Sequence, residues 1–302
     1  MRILIAGCGD VGSALGVELA TGGHEVWGLR RDPAGLPAAI RPLRADLTRP
    51  ATLVGLPPAI DIIVYTAAPV ESTDGGYRAI YVEGLQGLSQ ALAAQVQAPH
   101  RIVFTSSTAV YGQTDGSWVD ETSPTEPRDF RGRRLLQAER LLEASGCPAT
   151  VVRLGGIYGP GRTRLIERLR RGQAACAEGP PRYGNRIHRD DCAGALHHVV
   201  ELARPASLYL AVDHEPADEC EVLRWLSRQL GLPAPPIVPA GGARRRGNKR
   251  CRNDRLVASG YRFRHPTFRD GYAAELYGLA RRADPTTARL PRGDGGSGRE
   301  RA

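Results

Sequence analysis

The chain has 302 residues, 41% of them hydrophobic, and a formal net charge of +9. Such a length holds one large α/β unit plus a smaller lobe, and no run nears the ~20 apolar residues that cross a bilayer. Segment 244–255, with seven basic side chains against one acid, and segment 281–302, with six against three, carry the whole charge excess, so the remainder is near neutral and a nucleic-acid-binding face is not expected.

Taken in chain order, residues 2–6 read as a buried strand. The apolar run ends at once in Gly7-Cys8-Gly9-Asp10, without the cleavage-site pattern of a secretory signal. A helix is predicted over 11–21 and a second strand over 24–29. Residues 60–66 form a near-continuous apolar run, as in a strand covered on both faces. Tyr77, Ile80, Tyr81, Leu85, Leu88 and Leu92 fall three or four apart, which is a helix stripe. A strand follows over 101–106, a helix over 135–142 stopped by Gly146 and Pro148, and a strand over 150–154. Strands alternating with helices imply an α/β fold with a doubly wound parallel sheet. Its ligand site belongs on the loops after residues 6, 29, 66, 106 and 154, at the carboxyl ends of the strands. Beyond 160 the pattern loosens. The predicted division is a nucleotide-binding domain over 1–160, a smaller C-terminal substrate lobe over 161–280 with segments returning to the sheet, and a disordered Arg/Gly-rich tail over 281–302. The six cysteines make no C-x-x-C pair. They read as reduced thiols in a cytoplasmic protein, with no zinc site and no disulfide framework.

Gly7-Cys8-Gly9-Asp10-Val11-Gly12 fits G-x-G-x-x-G between a strand and a helix, the context that motif requires. Gly7 permits the tight turn, Gly9 lets the backbone approach a pyrophosphate, and Gly12 lets the helix lie on the strand. The helix mouth then offers N–H groups and a positive dipole end to the anion. Gly7, Gly9, Asp10, Val11 and Gly12 are therefore candidate dinucleotide ligands. The second strand ends in Leu29-Arg30-Arg31-Asp32, and Arg30 stands where an NAD-binding unit places an acid for the ribose 2′-hydroxyl. A guanidinium can grip a 2′-phosphate bidentately. Arg30 and Arg31 thus favour NADP over NAD; the alternative leaves both solvated and puts Asp32 on the ribose.

Together with later motifs, this loop resembles the extended short-chain dehydrogenase/reductases, the NAD-dependent epimerase/dehydratase family, over roughly 1–275. The resemblance implies a Rossmann sheet, with Asp46 and Leu47 near the adenine and Thr66-Ala67-Ala68 under the ribose. Phe104-Thr105-Ser106-Ser107-Thr108-Ala109-Val110-Tyr111-Gly112 resembles the family's serine-rich strand end and places Ser107 at the active-site Ser/Thr. Asp120-Glu121-Thr122-Ser123-Pro124, Arg153 through Gly161, and Arg186 through Asp191 resemble further family motifs. The glycine spacing is tighter than the family's usual G-x-x-G-x-x-G. The family's Tyr-x-x-x-Lys is missing altogether: Arg131 and Leu135 stand at its two positions, Tyr81 replaces the helper Asn, and Lys249 is the chain's one lysine. Ser107, with Tyr111, Tyr81 or Arg131 in a replacement role, remains as the candidate catalytic set. For both tyrosines packing is the preferred reading, and Arg131, always charged, suits an anion or a carbonyl rather than a proton. His188 is expected to bond locally, Asp190 to cap the next helix, and 248–253 to be a solvated basic loop. No metal site is expected. Two functions stay open: an NADP-dependent oxidoreductase or epimerase acting on a small polar alcohol, carbonyl or nucleotide-linked sugar, or a non-catalytic NADP-binding sensor or interaction protein. The resemblance also implies a homodimer paired through helices over 77–97 and 131–145, although the sequence does not fix the oligomeric state.

Overall fold

A computed structural model describes residues 1–239 and 247–283. Its centre is a seven-stranded sheet of β1 (Arg2–Ala6), β2 (Glu25–Arg30), β3 (Arg41–Arg44), β4 (Ile62–Tyr65), β5 (Arg101–Ser107), β6 (Ala149–Leu154) and β7 (Leu208–Ala211). The order across the sheet is 7-6-5-4-1-2-3, every pair parallel. This is the doubly wound α/β arrangement read from the alternation of elements. The order reverses between β1 and β4, and a crevice opens there beyond the strand ends.

The helices before β6 are α1 (Asp10–Thr21), α2 (Asp74–Tyr77), α3 (Gly84–Ala94) and α4 (Phe130–Ala144). A π-helical stretch, Arg78–Glu83, joins α2 to α3. After β6 come α5 (Arg164–Arg170), α6 (Arg189–Glu201), α7 (Glu219–Gln229), α8 (Asp254–Ala258) and α9 (Phe268–Ala283). Apolar cores fill both faces of the sheet, one around Tyr65 and Phe104, the other around Ile5 and Val103. That is why β1 and β4 are apolar at almost every position rather than at every second one. A third, smaller core, around Val222, Leu226 and Phe268, draws only on residues from Tyr158 onward. Among the described residues no helix is long and apolar enough to cross a membrane.

The segment expected to be a solvated basic loop is instead built into the fold. Arg250–Cys251 pairs with Trp118–Val119. The Arg250 guanidinium lies 4.8 Å from the ring centroids of both Trp118 and Tyr183. Lys249 is buried and donates from Nζ to the Tyr111 carbonyl at 3.1 Å. Aromatic faces and open carbonyls thus supply what water would have supplied. Residues 244–246 of that basic run, and 284–302 of the predicted tail, lie outside the described residues.

Candidate functional site

At the end of β1 three glycines do three different things. Gly7 has φ +90°, and a Cβ on it would sit 2.3 Å from the Ala67 Cα. Its N–H and that of Cys8 both donate to the Leu29 carbonyl, at 3.0 and 2.9 Å, which turns the chain. Gly12 lies so close to β1 and β4 that a Cβ would meet Thr66 Oγ1 at 2.9 Å and Ile5 Cγ2 at 3.0 Å. A Cβ on Gly9 would meet nothing nearer than the Gly7 oxygen at 3.9 Å, because it would project into open cleft. Gly9 caps α1 without a side chain, so the first-turn N–H groups face that cleft with the positive end of the helix dipole behind them.

The cleft has a volume of about 850 Å³. Gly7, Gly9, Asp10, Val11 and Gly12 line it with Arg30, Arg31, Asp46, Leu47, Thr66, Ala67 and Ala68, so all twelve predicted cofactor positions face one space. Arg30 reaches back to donate from Nη1 to the Cys8 carbonyl at 3.3 Å. Asp32 uses Oδ1 to accept the Ala34 N–H at 3.2 Å. The Asp46 carboxylate accepts from the Thr48 N–H and hydroxyl, at 2.9 and 2.8 Å, fixing the turn after β3. First-turn N–H groups and a floor kept clear by Gly9 fit the diphosphate of a dinucleotide, and Arg30 and Arg31 line the same cleft.

The other end of the cleft holds Ser107, Arg131 and Tyr81. Ser107 Oγ accepts the Ala109 N–H at 3.2 Å and keeps its own proton to give. Arg131 grips Ser72 Oγ from Nε and Nη2, at 3.1 and 2.9 Å, and Asp129 from Nη1 at 3.0 Å. Burial raises the Tyr81 phenol above its ordinary value. Tyr111 does not reach the cleft. It is 2% exposed, donates to the Asp120 carbonyl at 2.7 Å and accepts from Arg153 Nη1 at 2.7 Å. Burial pushes its phenol up to about 12 despite the lowering pull of Arg153. His188, rather than Asp190, caps α6: its Nδ1 accepts the Asp190 N–H at 3.2 Å.

The model of the NAD dependent epimerase/dehydratase family matches residues 3–207. This chain belongs to that family. Its relatives include the 3-diazoavenalumate denitrifying reductase of Streptomyces sp, 30% identical over 91% of this chain and 100% of that one. Protein YeeZ of Escherichia coli K12 is 29% identical over 78% of this chain and 85% of its own. Among solved structures, an NAD-dependent epimerase/dehydratase from Methylobacillus flagellatus is 39% identical, with a TM-score of 0.76 over 92% of this chain and 98% of that one.

Within the epimerase/dehydratase frame, Ser106, Glu139 and Arg162 were given no role from the sequence, and Arg153 entered only as part of a motif. Ser106 Oγ donates to Glu139 Oε1 at 2.5 Å, and Arg153 holds both Glu139 oxygens, at 3.1 and 2.6 Å, in a buried pair directly behind Ser107. Arg162 lines the cleft beside Asp10. It follows Tyr158-Gly159-Pro160-Gly161 directly, and that motif was the available signal. His188, Asp191 and His265 bring three possible metal ligands together. The two Asp191 oxygens, however, already accept from the Tyr261 hydroxyl, the Arg264 and His265 N–H groups and His265 Nδ1, which fills them with protein donors.

Proposed function

We propose that this chain is an NADPH-dependent reductase of a small polar substrate that works without a tyrosine general acid. The observation carrying this reading is the pair Arg30–Arg31 at the end of β2, in a cleft that runs from the glycine loop to Ser107. The first turn of α1 holds the cofactor's diphosphate, and Arg30 and Arg31 hold its 2′-phosphate. The bound nicotinamide supplies the hydride. Ser107 donates a hydrogen bond to the substrate atom that gathers charge, and Arg131 holds an anionic or carbonyl group beside it. The Tyr111 hydroxyl is spent on Asp120 and Arg153 outside the cleft and burial raises the Tyr81 phenol, so in this reading water in the cleft supplies the proton. General acid help is typically worth ~10²–10⁴-fold, and its absence points to a substrate that does not need it. The name of the Streptomyces relative describes a reductase that removes nitrogen from a diazo compound. A leaving group that departs unaided asks no acid of the enzyme, which agrees with this cleft.

Fluorescence titration of the protein with NADPH and NADH, followed by a screen for NADPH oxidation, tests the proposal. Tighter binding of NADPH, with NADPH oxidised in the presence of at least one carbonyl, nucleotide-sugar or diazo substrate, which is reduced, is the expected result. Arg30→Ala should then cut the preference for NADPH over NADH by about tenfold, the loss of one charge-assisted contact. An unaltered preference removes Arg30 from the reading. A second reading, a non-catalytic NADP sensor, draws on the missing Tyr and Lys. Tight NADPH binding with no oxidation across the panel would favour it.

A further inference from the structure

The mouth of α1 presents an electrostatic contradiction. Asp10, the first residue of the helix, puts a carboxylate in the cleft at the point where the glycine loop is open to a diphosphate. An acid there suits the helix dipole but repels an incoming anion. Two arginines from beyond β6 cover it. Arg162 Nε donates to Asp10 Oδ2 at 2.9 Å, and Arg189 Nη1 donates to Asp10 Oδ1 at 3.2 Å. Arg189 is shared, since its Nε donates to Asp190 Oδ1 at 2.6 Å. Asp190 thus offsets Arg189, and Arg162 is the cation that cancels Asp10.

Arg162 also lines the cleft. It bonds Asp10 through Nε alone, and among the described residues its two terminal nitrogens make no hydrogen bond. Half of the guanidinium fork is therefore spoken for, and the other half is available. The loop bearing it is shaped for this approach. Gly159 and Gly161 have φ of +126° and +76°, and a Cβ on Gly159 would meet His188 Nε2 at 2.8 Å. The turn is pressed onto the start of α6, and the Arg162 N–H donates to the Gly159 carbonyl at 2.9 Å to close it.

We propose that Arg162 is a ligand of the cofactor diphosphate, contributed from outside the glycine loop, and that Asp10 is its positioning residue. The inference rests on the dinucleotide reading given above. Asp10 fixes the guanidinium by its Nε edge and leaves the terminal nitrogens for phosphate oxygens, a pairing that favours two parallel bonds. The site of the diphosphate is then closed from two sides, by backbone N–H groups of α1 and by a side chain of the 159–162 turn.

Equilibrium titrations on the full chain test this, with NADPH and with 2′-AMP, which has the 2′-phosphate but no diphosphate. Arg162→Ala should weaken NADPH by about tenfold and leave 2′-AMP unchanged, with Arg162→Lys falling between. Asp10→Asn alone should change NADPH affinity by no more than a few-fold, because lost positioning and lost repulsion oppose one another. In the Arg162→Ala background it should tighten NADPH, since the carboxylate is then uncovered. Ligand-free melting curves check that each variant is folded. Equal weakening of NADPH and 2′-AMP by Arg162→Ala, or the same effect of Asp10→Asn in both backgrounds, overturns the assignment. Failure of the unmutated protein to bind either NADPH or NADH overturns the dinucleotide reading itself.

Discussion

Gly7 and Gly9 stand two residues apart, and each excludes a side chain for a different reason. At Gly7 the obstacle is the protein: a left-handed φ and the Ala67 backbone 2.3 Å from any Cβ. At Gly9 the obstacle is the ligand, because the structure leaves that direction empty. Gly7→Ala should therefore cost stability, about 1–3 kcal/mol for backbone strain alone, seen as a lower melting temperature. Gly9→Ala should melt close to the original protein while losing NADPH affinity, and a drop in its melting temperature matching that of Gly7→Ala would contradict the distinction. The glycine loop was legible in the sequence because its logic is local, six residues between a strand and a helix. Arg162 and Lys249 were not, since their partners lie 152 and 138 residues away. Tyr111 was weighed as a replacement acid, but the sequence could not say that its hydroxyl would be spent on Asp120 and Arg153. Tyr111→Phe should leave turnover within a few-fold and lower stability by about 1–2 kcal/mol, whereas Ser107→Ala should reduce turnover with little change in melting.

At the scale of elements, the buried pair of Glu139 on α4 and Arg153 on β6 ties helix to sheet and reaches Ser106 at the end of β5. Such pairs rarely add net stability over an apolar replacement, but removing one partner strands a charge and costs about 3–5 kcal/mol. Glu139→Leu and Arg153→Met should each be severely destabilising, and the double variant much less so, as read by urea unfolding. Additive losses would mean that the two side chains do not act as a pair. Glu139→Leu should also disturb Ser107, because Ser106 loses its acceptor. The strands most readily found from sequence, β1 and β4, are those buried on both faces. β3 was missed because Arg41-Pro42-Leu43-Arg44 lies at the sheet edge, mostly exposed, with no apolar pattern to read. The helix stripe from Tyr77 to Leu92 is real, but its π-helical stretch is a hydrogen-bond register shift that the spacing of side chains does not encode.

Across the whole molecule, the sheet and its crevice followed from the alternation of elements, while the joint between the central sheet and the smaller core did not. Asp213 sits at that joint, just past β7. Its N–H donates to the Arg186 carbonyl at 2.7 Å, and its Oδ1 accepts the Glu215 N–H at 3.2 Å. It is 1% exposed, and among the described residues its Oδ2 has no hydrogen-bond partner. Burial raises this carboxyl well above the usual carboxylate range, and Arg186 offsets only part of that. The native chain therefore holds a proton that the unfolded chain has already released above pH ~4. More protons bound in the native state mean that stability falls as pH rises. The contribution is intact below pH ~4, is lost progressively up to the raised native value, and does not return above it. Asp213→Asn keeps the oxygen that accepts from Glu215 and removes the titration. Thermal melts of the two proteins should coincide at pH ~4 and diverge as pH increases, with the variant the more stable at pH 8. A variant that melts lower than the original at pH 8 would mean instead that Asp213 is ionised in the native state and held by Arg186, so that the joint is fastened by an ion pair rather than by a buried acid.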